Sequence, residues 1–332
     1  APLAPAFSVL LIMRLFQSIG SGAIYPSGVG LIRSHIHEKQ ASALSVLSIF
    51  SSAMTAFGPT VGGFLIVLGG WPAIFLVNFP FILFSFLLGM YMFPKDEKKA
   101  GLNVRAVIKR LDLTGILLFA GGIVLLLAFL LSLSTGEPRF AEGMFGLVLL
   151  LMFVWWELRV NSPFIDIRLL IARRTLTSVY AQFIMLNIFN YCLFFGLPSY
   201  FQDEMHLSVQ TSGLLMLFMS GTSVLISPFV GKWIDRSGET QPVLIGSCLM
   251  AAGAILLTLF FVDAPMLWKG IILSLLGVSY GLGNVALQAA MFTASPPDIV
   301  GTTSGLFQTC RYLGSIFSSV ILGLLFGEEI TA

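Results

Sequence analysis

Charged residues are scarce in this 332-residue sequence, at only 10% of the total. A typical soluble protein carries about 25%. Hydrophobic residues make up 57%, which is more apolar surface than one water-soluble core can cover. We therefore expect lipid to surround most of the chain. The net charge is only +2, and the absence of an acidic or basic tail argues against a nucleic-acid partner.

Cysteines and other metal-binding residues are also few. Cys192, Cys248 and Cys310 all lie inside apolar runs, so they predict small apolar side chains rather than a disulfide framework. His35 and His37 share a charged turn that has no third metal ligand nearby. The glycine–lysine phosphate loop of ATPases does not occur. We therefore expect no metal, no cofactor and no ATP-driven motor in this chain.

Long hydrophobic runs dominate the rest of the sequence. A membrane-spanning helix needs about 20 predominantly apolar residues. Ten such runs predict an all-α membrane protein with the spans Phe7–Ile32, Ala41–Leu68, Trp71–Phe93, Leu113–Leu133, Phe140–Leu158, Leu176–Tyr200, Val209–Val230, Val243–Val262, Met266–Ala294 and Val300–Phe326.

Lysine and arginine are distributed unevenly between the two sides of these spans. Fourteen of them fall in the loops after spans one, three, five and seven, whereas Arg139 and Lys269 alone mark the opposite side. By the positive-inside rule, the basic loops face the cytoplasm and both ends of the chain lie outside. The expected location is a bacterial cytoplasmic membrane. The start at Ala1, without a basic signal region, leads us to expect a fragment of a longer protein.

Two long basic loops divide the chain into three parts. Residues 1–93 would end an N-terminal helical half with three spans, 94–174 would form a central insert with two spans, and 175–332 would hold five spans of a C-terminal half. The linkers 94–112 and 157–174 are either helices on the inner membrane face or solvated connections.

Similar segments recur in spans one and nine and in spans two and ten, at offsets of 261 and 262 residues. Such parallel repeats are typical of transporters built from two halves.

Five polar residues inside the spans are candidates for proton coupling or a substrate path: Arg14, Gln17, Asn187, Asn190 and Arg311. A charge at the bilayer centre costs about 2.5–3.5 kcal/mol on insertion scales, so intramembrane arginines indicate function. Alternatives stay open, because Arg14 could snorkel to the outer interface and Arg311 could be structural. The two asparagines could equally hydrogen-bond neighbouring helices. No carboxylate lies well inside a predicted span.

The stretch AFGPTVGGFL (56–65) places helix-breaking residues inside an otherwise apolar helix. Gly58 and Gly62 form a GxxxG pair that allows another helix to approach closely. Pro59 predicts a bend, since neighbouring helices can satisfy the backbone groups it frees. With Gly63, these residues are either a specific hinge or ordinary packing residues.

The stretch GKWIDRSGE (231–239) follows the seventh span. Gly231 and Gly238 predict a tight turn. Asp235 suits the N-terminus of a helix, where negative charge is favourable, and Arg236 can reach a carboxylate across an interface. An ordinary polar turn is the alternative.

Four stretches together resemble the major facilitator superfamily, and within it the fourteen-span drug:proton antiporters. RLFQSIGSG (14–22) is similar to an arginine motif of the fourth span, GPTVGG (58–63) to the antiporter motif of the fifth, GKWIDRSG (231–238) to a cytoplasmic loop motif, and LPSYFQDEMHLSVQTSGLL (197–215) to a segment joining two early spans of the second half. The resemblance covers the whole chain. It implies that the ten spans correspond to family spans four to thirteen.

The resemblance also implies roles for the motif residues. Arg14 would take part in proton coupling with Gln17 nearby. A hinge would be formed by Gly58, Pro59, Gly62 and Gly63. A latch between outward- and inward-facing states would be formed by Gly231, Asp235, Arg236 and Gly238. The coupling carboxylate would lie in the first three family spans, which this sequence lacks.

These observations predict a secondary active transporter that exchanges inbound protons for an outbound amphipathic drug or toxic compound. The alternative is an exporter of a specific metabolite or sugar on the same scaffold. A membrane enzyme is disfavoured because no cluster of ionisable groups lies at one depth. The expected partners are a small-molecule substrate, protons and the lipid bilayer, with the protein acting as a monomer.

Overall fold

The computed structural model describes residues 6–36, 38–40, 42–44, 46–47, 50, 54, 65, 68–92, 112–134, 138–161, 163–296 and 299–326. Every regular element in these ranges is helical. The principal helices are α1 (Phe7–His35), α2 (Asn78–Met92), α3 (Leu113–Ser134), α4 (Phe140–Glu157), α5 (Ile167–Ala172), α6 (Arg174–Ser199), α7 (Val209–Ser237), α8 (Thr240–Phe260), α9 (Met266–Ala294) and α10 (Val300–Phe326). A π-helical turn, Tyr200–Glu204, extends α6.

Nine helices in the described ranges are long and apolar enough to cross a membrane. Four of them have the bounds expected from hydropathy, namely Phe7–Ile32, Leu113–Leu133, Met266–Ala294 and Val300–Phe326. The others differ by one to seven residues at one or both ends. The expectation of an all-α membrane protein is therefore confirmed. Most of the predicted second span, Ala41–Leu68, lies outside the described residues. The count of ten spans out of fourteen stays a prediction.

Helix α9 lies at the centre of the C-terminal helices, and 72% of its most hydrophobic 18-residue segment is buried. It packs against α6, α7 and α8. Small residues allow this close approach. A Cβ atom added to Gly277 would lie 1.9 Å from the carbonyl oxygen of Met219 in α7. On the other side, the Ser279 hydroxyl donates to the carbonyl of Gly246 in α8 at 2.8 Å.

Helices α6 and α10 form a second tight pair. The rings of Phe183 and Phe307 stack with their centroids 3.7 Å apart. The Tyr180 hydroxyl donates to the carbonyl oxygen of Thr303 at 3.1 Å. Gly314 allows α10 to reach the backbone of α6, because a Cβ atom there would lie 2.5 Å from the Cβ of Asn187.

Helices α3 and α4 form a hairpin that contacts the remainder of the described structure mainly through α10. Gly146 of α4 lies against the backbone of α3, where an added Cβ atom would be 2.8 Å from the amide nitrogen of Leu126. Helix α1 also packs on α10. Arg14 and Gln17 lie on its exposed part.

One local expectation is corrected. Gly231 lies inside α7 rather than in a turn, because the helix continues to Ser237. Gly238 alone makes the turn, with φ +79°, and its N–H donates to the Ile234 carbonyl at 2.8 Å.

The linker 157–174 contains the short helix α5, whose first turn is capped by Asp166 accepting from the Leu169 N–H at 2.9 Å. The linker 94–112 lies outside the described residues except for Asp112.

Candidate functional site

Arg311 is the one charged residue of α10. Its side chain is 9% exposed. The Nη2 group donates to Asn284 Oδ1 of α9 at 3.1 Å, and the guanidinium carbon lies 5.6 Å from the ring centroid of Phe183 in α6. An arginine side chain stays charged in proteins, so three helices converge on a permanent buried cation.

Tyrosines from four helices lie near this cation, and one of them, Tyr312, is largely exposed. Tyr25, Tyr191, Tyr280 and Tyr312 are close enough to Arg311 to interact with it electrostatically. Because Tyr25 belongs to α1 and the others belong to α6, α9 and α10, four helices contribute polar groups to the same region. The region therefore combines one buried cation with aromatic and polar side chains from four helices.

Asn187 and Asn190 extend this region along α6. Asn187 is fully buried; its amide donates to the Phe183 carbonyl at 2.7 Å, and its Oδ1 accepts from the Tyr280 hydroxyl at 3.5 Å. Asn190 lines a small cavity between α6, α7, α8 and α9, together with Tyr280 and Ser279. The structure therefore brings Asn187, Asn190 and Arg311 together, as residues of one polar region that centres on Tyr280.

Arg14 and Gln17 lie apart from that region. Arg14 Nη1 donates to Gln17 Oε1 at 3.1 Å, and its guanidinium carbon lies 4.7 Å from the ring centroid of Phe75. Arg14 precedes Tyr25 by eleven residues, which is about 16 Å along a helix. The two span arginines therefore belong to separate groups at different depths.

Asp235 joins two distant parts of the chain. Residues 40 and 42–44 are helical, and the Ala43 N–H donates to the Lys39 carbonyl at 3.1 Å. The Ser42 N–H therefore belongs to the first turn, whose amides have no acceptor within their own helix. Asp235 Oδ2 accepts from this N–H at 3.1 Å, and it also accepts from the Ser42 hydroxyl. Negative charge is favourable at this end of a helix.

The other predicted motif residues contribute less to the described contacts. Arg236 is exposed and forms no ion pair with any residue that the structure describes. Gly231 is buried within α7. The four predicted hinge residues, Gly58, Pro59, Gly62 and Gly63, lie outside the described residues. Among the predicted motif residues, Asp235 is thus the one that contacts the N-terminal part, through Ser42. Beside it, Val29 and Leu44 pack with Phe292 and Val300 in an apolar cluster on the same side.

Several buried polar residues were not predicted from the sequence as candidate site residues. Lys269 is 4% exposed; its ammonium group donates to the Val262 carbonyl at 3.0 Å and lies 5.6 Å from the Phe261 ring centroid. Glu157, at the end of α4, is 1% exposed. Asn284 carries no charge, and its position in the apolar stretch GLGNVA was the only signal for it. Within the described ranges, no three His, Cys, Asp or Glu side chains converge as metal ligands.

The chain is similar to several bacterial transport proteins. It is 70% identical over 332 residues to the uncharacterized MFS-type transporter YwoD of Bacillus subtilis, covering all of this chain and 73% of that protein. It is 29% identical to the multidrug resistance protein B homolog of Mycobacterium tuberculosis, covering 97% and 60%. It is 24% identical to the riboflavin transporter RibZ of Clostridioides difficile, covering 98% and 69%.

A family profile matches almost the whole chain. The match runs over residues 1–319, and the profile is that of the Major Facilitator Superfamily. The helical structure with nine candidate spans in its described part agrees with this match. The chain therefore belongs to the Major Facilitator Superfamily of membrane transporters.

Proposed function

We propose that the protein is a proton-coupled antiporter that exports amphipathic compounds by alternating access. The observation that carries this proposal is the contact of Asp235 with Ser42, residues that are 193 positions apart. It ties the end of α7 to the first turn of a helix in the N-terminal part, on the side predicted to face the cytoplasm. An alternating-access carrier needs such a contact to form in one state and break in the other. Gly231, Arg236 and Gly238 would position Asp235 for this latch.

The substrate site would lie around Arg311. This residue is eleven positions beyond the start of α10, or about 16 Å into a helix that is about 40 Å long. That depth is near mid-membrane, where transporters built from two halves place their substrates. Asn284, Asn187 and Asn190 would contact polar groups of the substrate, and Phe183 would contact its apolar part. The mycobacterial relative is named as a multidrug resistance protein B homolog, which supports drug efflux as the activity.

A transport assay in everted membrane vesicles tests the proposal. An imposed proton gradient should drive accumulation of a fluorescent amphipathic drug, and a protonophore should abolish it. The electrical part of the driving force is about 2.3 kcal/mol per charge at 100 mV. The Asp235→Asn variant should transport more slowly at equal expression. Drug movement that is unchanged by the protonophore would overturn proton coupling, whereas the absence of any drug movement would overturn drug efflux.

A transporter of a specific metabolite or sugar is the second candidate. The directed donors of Arg311 and Asn284 favour a substrate with oxygen acceptors in fixed positions, and one relative is named as a riboflavin transporter. A susceptibility panel on cells with and without the gene separates the two candidates. Resistance to several unrelated amphipathic compounds supports drug efflux. Resistance to a single class of compound supports the specific exporter.

We also propose the topology of the fourteen-span antiporter group, with α3 and α4 as the additional central pair and the protein a monomer in the bacterial cytoplasmic membrane. The basic loops would lie in the cytoplasm and the loop with Arg139 outside. A cysteine introduced at Arg139 should react with an impermeant maleimide added to intact cells, whereas one at Lys232 should not. The reverse pattern would refute this orientation.

A further inference from the structure

Asp112 begins the α3–α4 hairpin at the end predicted to face the cytoplasm. Its Oδ1 accepts from the Gly115 N–H at 2.9 Å, which caps the first turn of α3. The indole N–H of Trp156 in α4 donates to the same carboxylate, at 2.8 Å from Oδ1 and 3.0 Å from Oδ2. Two donors thus hold the Asp112 carboxylate in one position.

Glu157, the residue after Trp156, is buried with 1% of its side chain exposed. Its Oε2 accepts from the Ile165 N–H of the following linker at 3.3 Å. Its Oε1 is also buried and has no hydrogen-bond partner among the described residues. A buried carboxylate oxygen without a donor is costly, so this atom requires a physical explanation.

The two carboxylates meet at Gly115. A Cβ atom at this glycine would lie 2.5 Å from Asp112 Oδ2 and also 2.5 Å from Glu157 Oε1. The two oxygens are therefore at most about 5 Å apart. The unpartnered oxygen of Glu157 and the carboxylate of Asp112 therefore both border the space that a side chain at Gly115 would occupy.

Among the residues that the structure describes, the other charged groups near this pair do not neutralise it. Asp166, the cap of α5, interacts electrostatically with Glu157 and adds a further negative charge. Arg159 lies over the Trp155 ring, with its guanidinium carbon 4.1 Å from the centroid. Arg168 donates to the Leu158 carbonyl. Neither arginine hydrogen-bonds to Glu157 in the described part of the chain.

Three effects therefore disfavour an ionised Glu157. Burial removes the solvation of its charge, a second carboxylate lies within about 5 Å, and the C-terminus of α4 carries the negative end of the helix dipole. Protonation removes one of the two negative charges. It also turns the unpartnered oxygen into a hydroxyl that can donate to Asp112.

We propose that Asp112 and Glu157 together bind one proton at neutral pH, at the end of the α3–α4 hairpin. The bound proton allows the pair to stay buried, and Glu157 then holds the linker after α4 through the Ile165 N–H. Loss of the proton would place two negative charges side by side and weaken the attachment of the linker to the hairpin. This site is independent of the proposed substrate and of the direction of transport.

Infrared difference spectroscopy of the full protein in lipid tests the proton directly. At neutral pH, the protein should show the C=O band of a protonated carboxylic acid, and this band should shift in heavy water. It should also shift when all glutamates carry a ¹³C-labelled side-chain carboxyl, and it should be missing in Glu157→Gln. The matched control is Glu142→Gln at the other end of α4, where Arg139 pairs with the glutamate at 3.3 Å; this variant should keep the band.

The variant Asp112→Asn gives a second measurement. It keeps the size of the side chain and removes the neighbouring charge, so the band of Glu157 should titrate at a lower pH than in the unmodified protein. If no glutamate acid band is present at neutral pH in the labelled protein, Glu157 is ionised and the proposal is wrong. The labelled protein carries no substitution, so this result does not depend on the folding of any variant. A band that Glu157→Gln leaves unchanged also refutes the proposal.

Discussion

The contact of Asp235 with Ser42 yields the most specific prediction. In Asp235→Asn the side chain keeps its size but loses its charge at the first turn of the helix that contains Ser42. A hydrogen bond to a charged group contributes about 1.5–3 kcal/mol, and a charge at a helix N-terminus about 0.3–1 kcal/mol. Because the contact is exposed and asparagine still offers an acceptor, we expect a loss of about 1–2 kcal/mol from the state in which the contact is formed.

A loss of this size changes the ratio of the two states by about five- to thirty-fold, since 1.4 kcal/mol corresponds to a factor of ten. Spin labels at Glu38 and Thr240, both exposed and on either side of the contact, report this ratio as a distance distribution. The labels are placed in a background without the three native cysteines. The unmodified protein should favour the short distance, and Asp235→Asn should shift the population toward the longer one.

Two controls make the result decisive. Ser42→Ala removes only the hydroxyl, leaves the backbone N–H, and should shift the population less than Asp235→Asn. Asp203→Asn removes a carboxylate from the π-helical turn after α6, at the opposite end of the bundle, and should leave the distribution unchanged. If Asp235→Asn and Asp203→Asn give the same distribution as the unmodified protein, Asp235 does not stabilise the closed cytoplasmic side.

Three further predictions concern packing and transport. Gly277→Ala should lower the midpoint of thermal unfolding in detergent, because a Cβ atom there meets the backbone of α7; Gly213→Ala, where nothing lies within 4 Å, should not. Arg14→Ala should abolish proton-driven drug accumulation in vesicles while the protein is still expressed, and normal accumulation would remove Arg14 from the coupling mechanism. Gly58→Leu should stop transport without preventing membrane insertion, and a fully active variant would mean that this stretch serves ordinary packing.

The spans were predictable from the sequence because crossing a bilayer imposes one strong requirement, a long apolar run. Phe7–Ile32 and Val300–Phe326 have the same bounds by hydropathy and in the structure. The end of α7 was less predictable. Gly231 favours a turn in water, but α7 continues through it to Ser237. Helix packing decides the conformation there, and Gly238, with its positive φ, is where the helix ends.

The candidate site was predictable in its residues but not in its grouping. Arg311 and Asn187 stand out because polar groups are rare in apolar spans. Their convergence with Tyr280 depends on how α6, α9 and α10 are rotated, which hydropathy does not determine. The side-chain amide of Asn187 donates within its own helix, to the Phe183 carbonyl, so this bond needs no partner from another helix. Its second contact, to the Tyr280 hydroxyl, requires the neighbouring helix.

Residues at the ends of spans escape prediction for a different reason. Near the membrane surface a charged side chain can either reach water or turn inward, and the cost of either choice is small compared with that at the bilayer centre. Lys269 turns inward and donates to the carbonyl of Val262, in the turn that follows α8. Glu157 also turns inward, but it meets a second carboxylate. A charged residue near the end of a span is therefore bonded to a carbonyl in one case and, as we propose, belongs to a proton site in the other. The two outcomes differ because the neighbouring groups differ. Glu157 lies against Gly115 of α3, whose missing side chain leaves room for the carboxylate of Asp112.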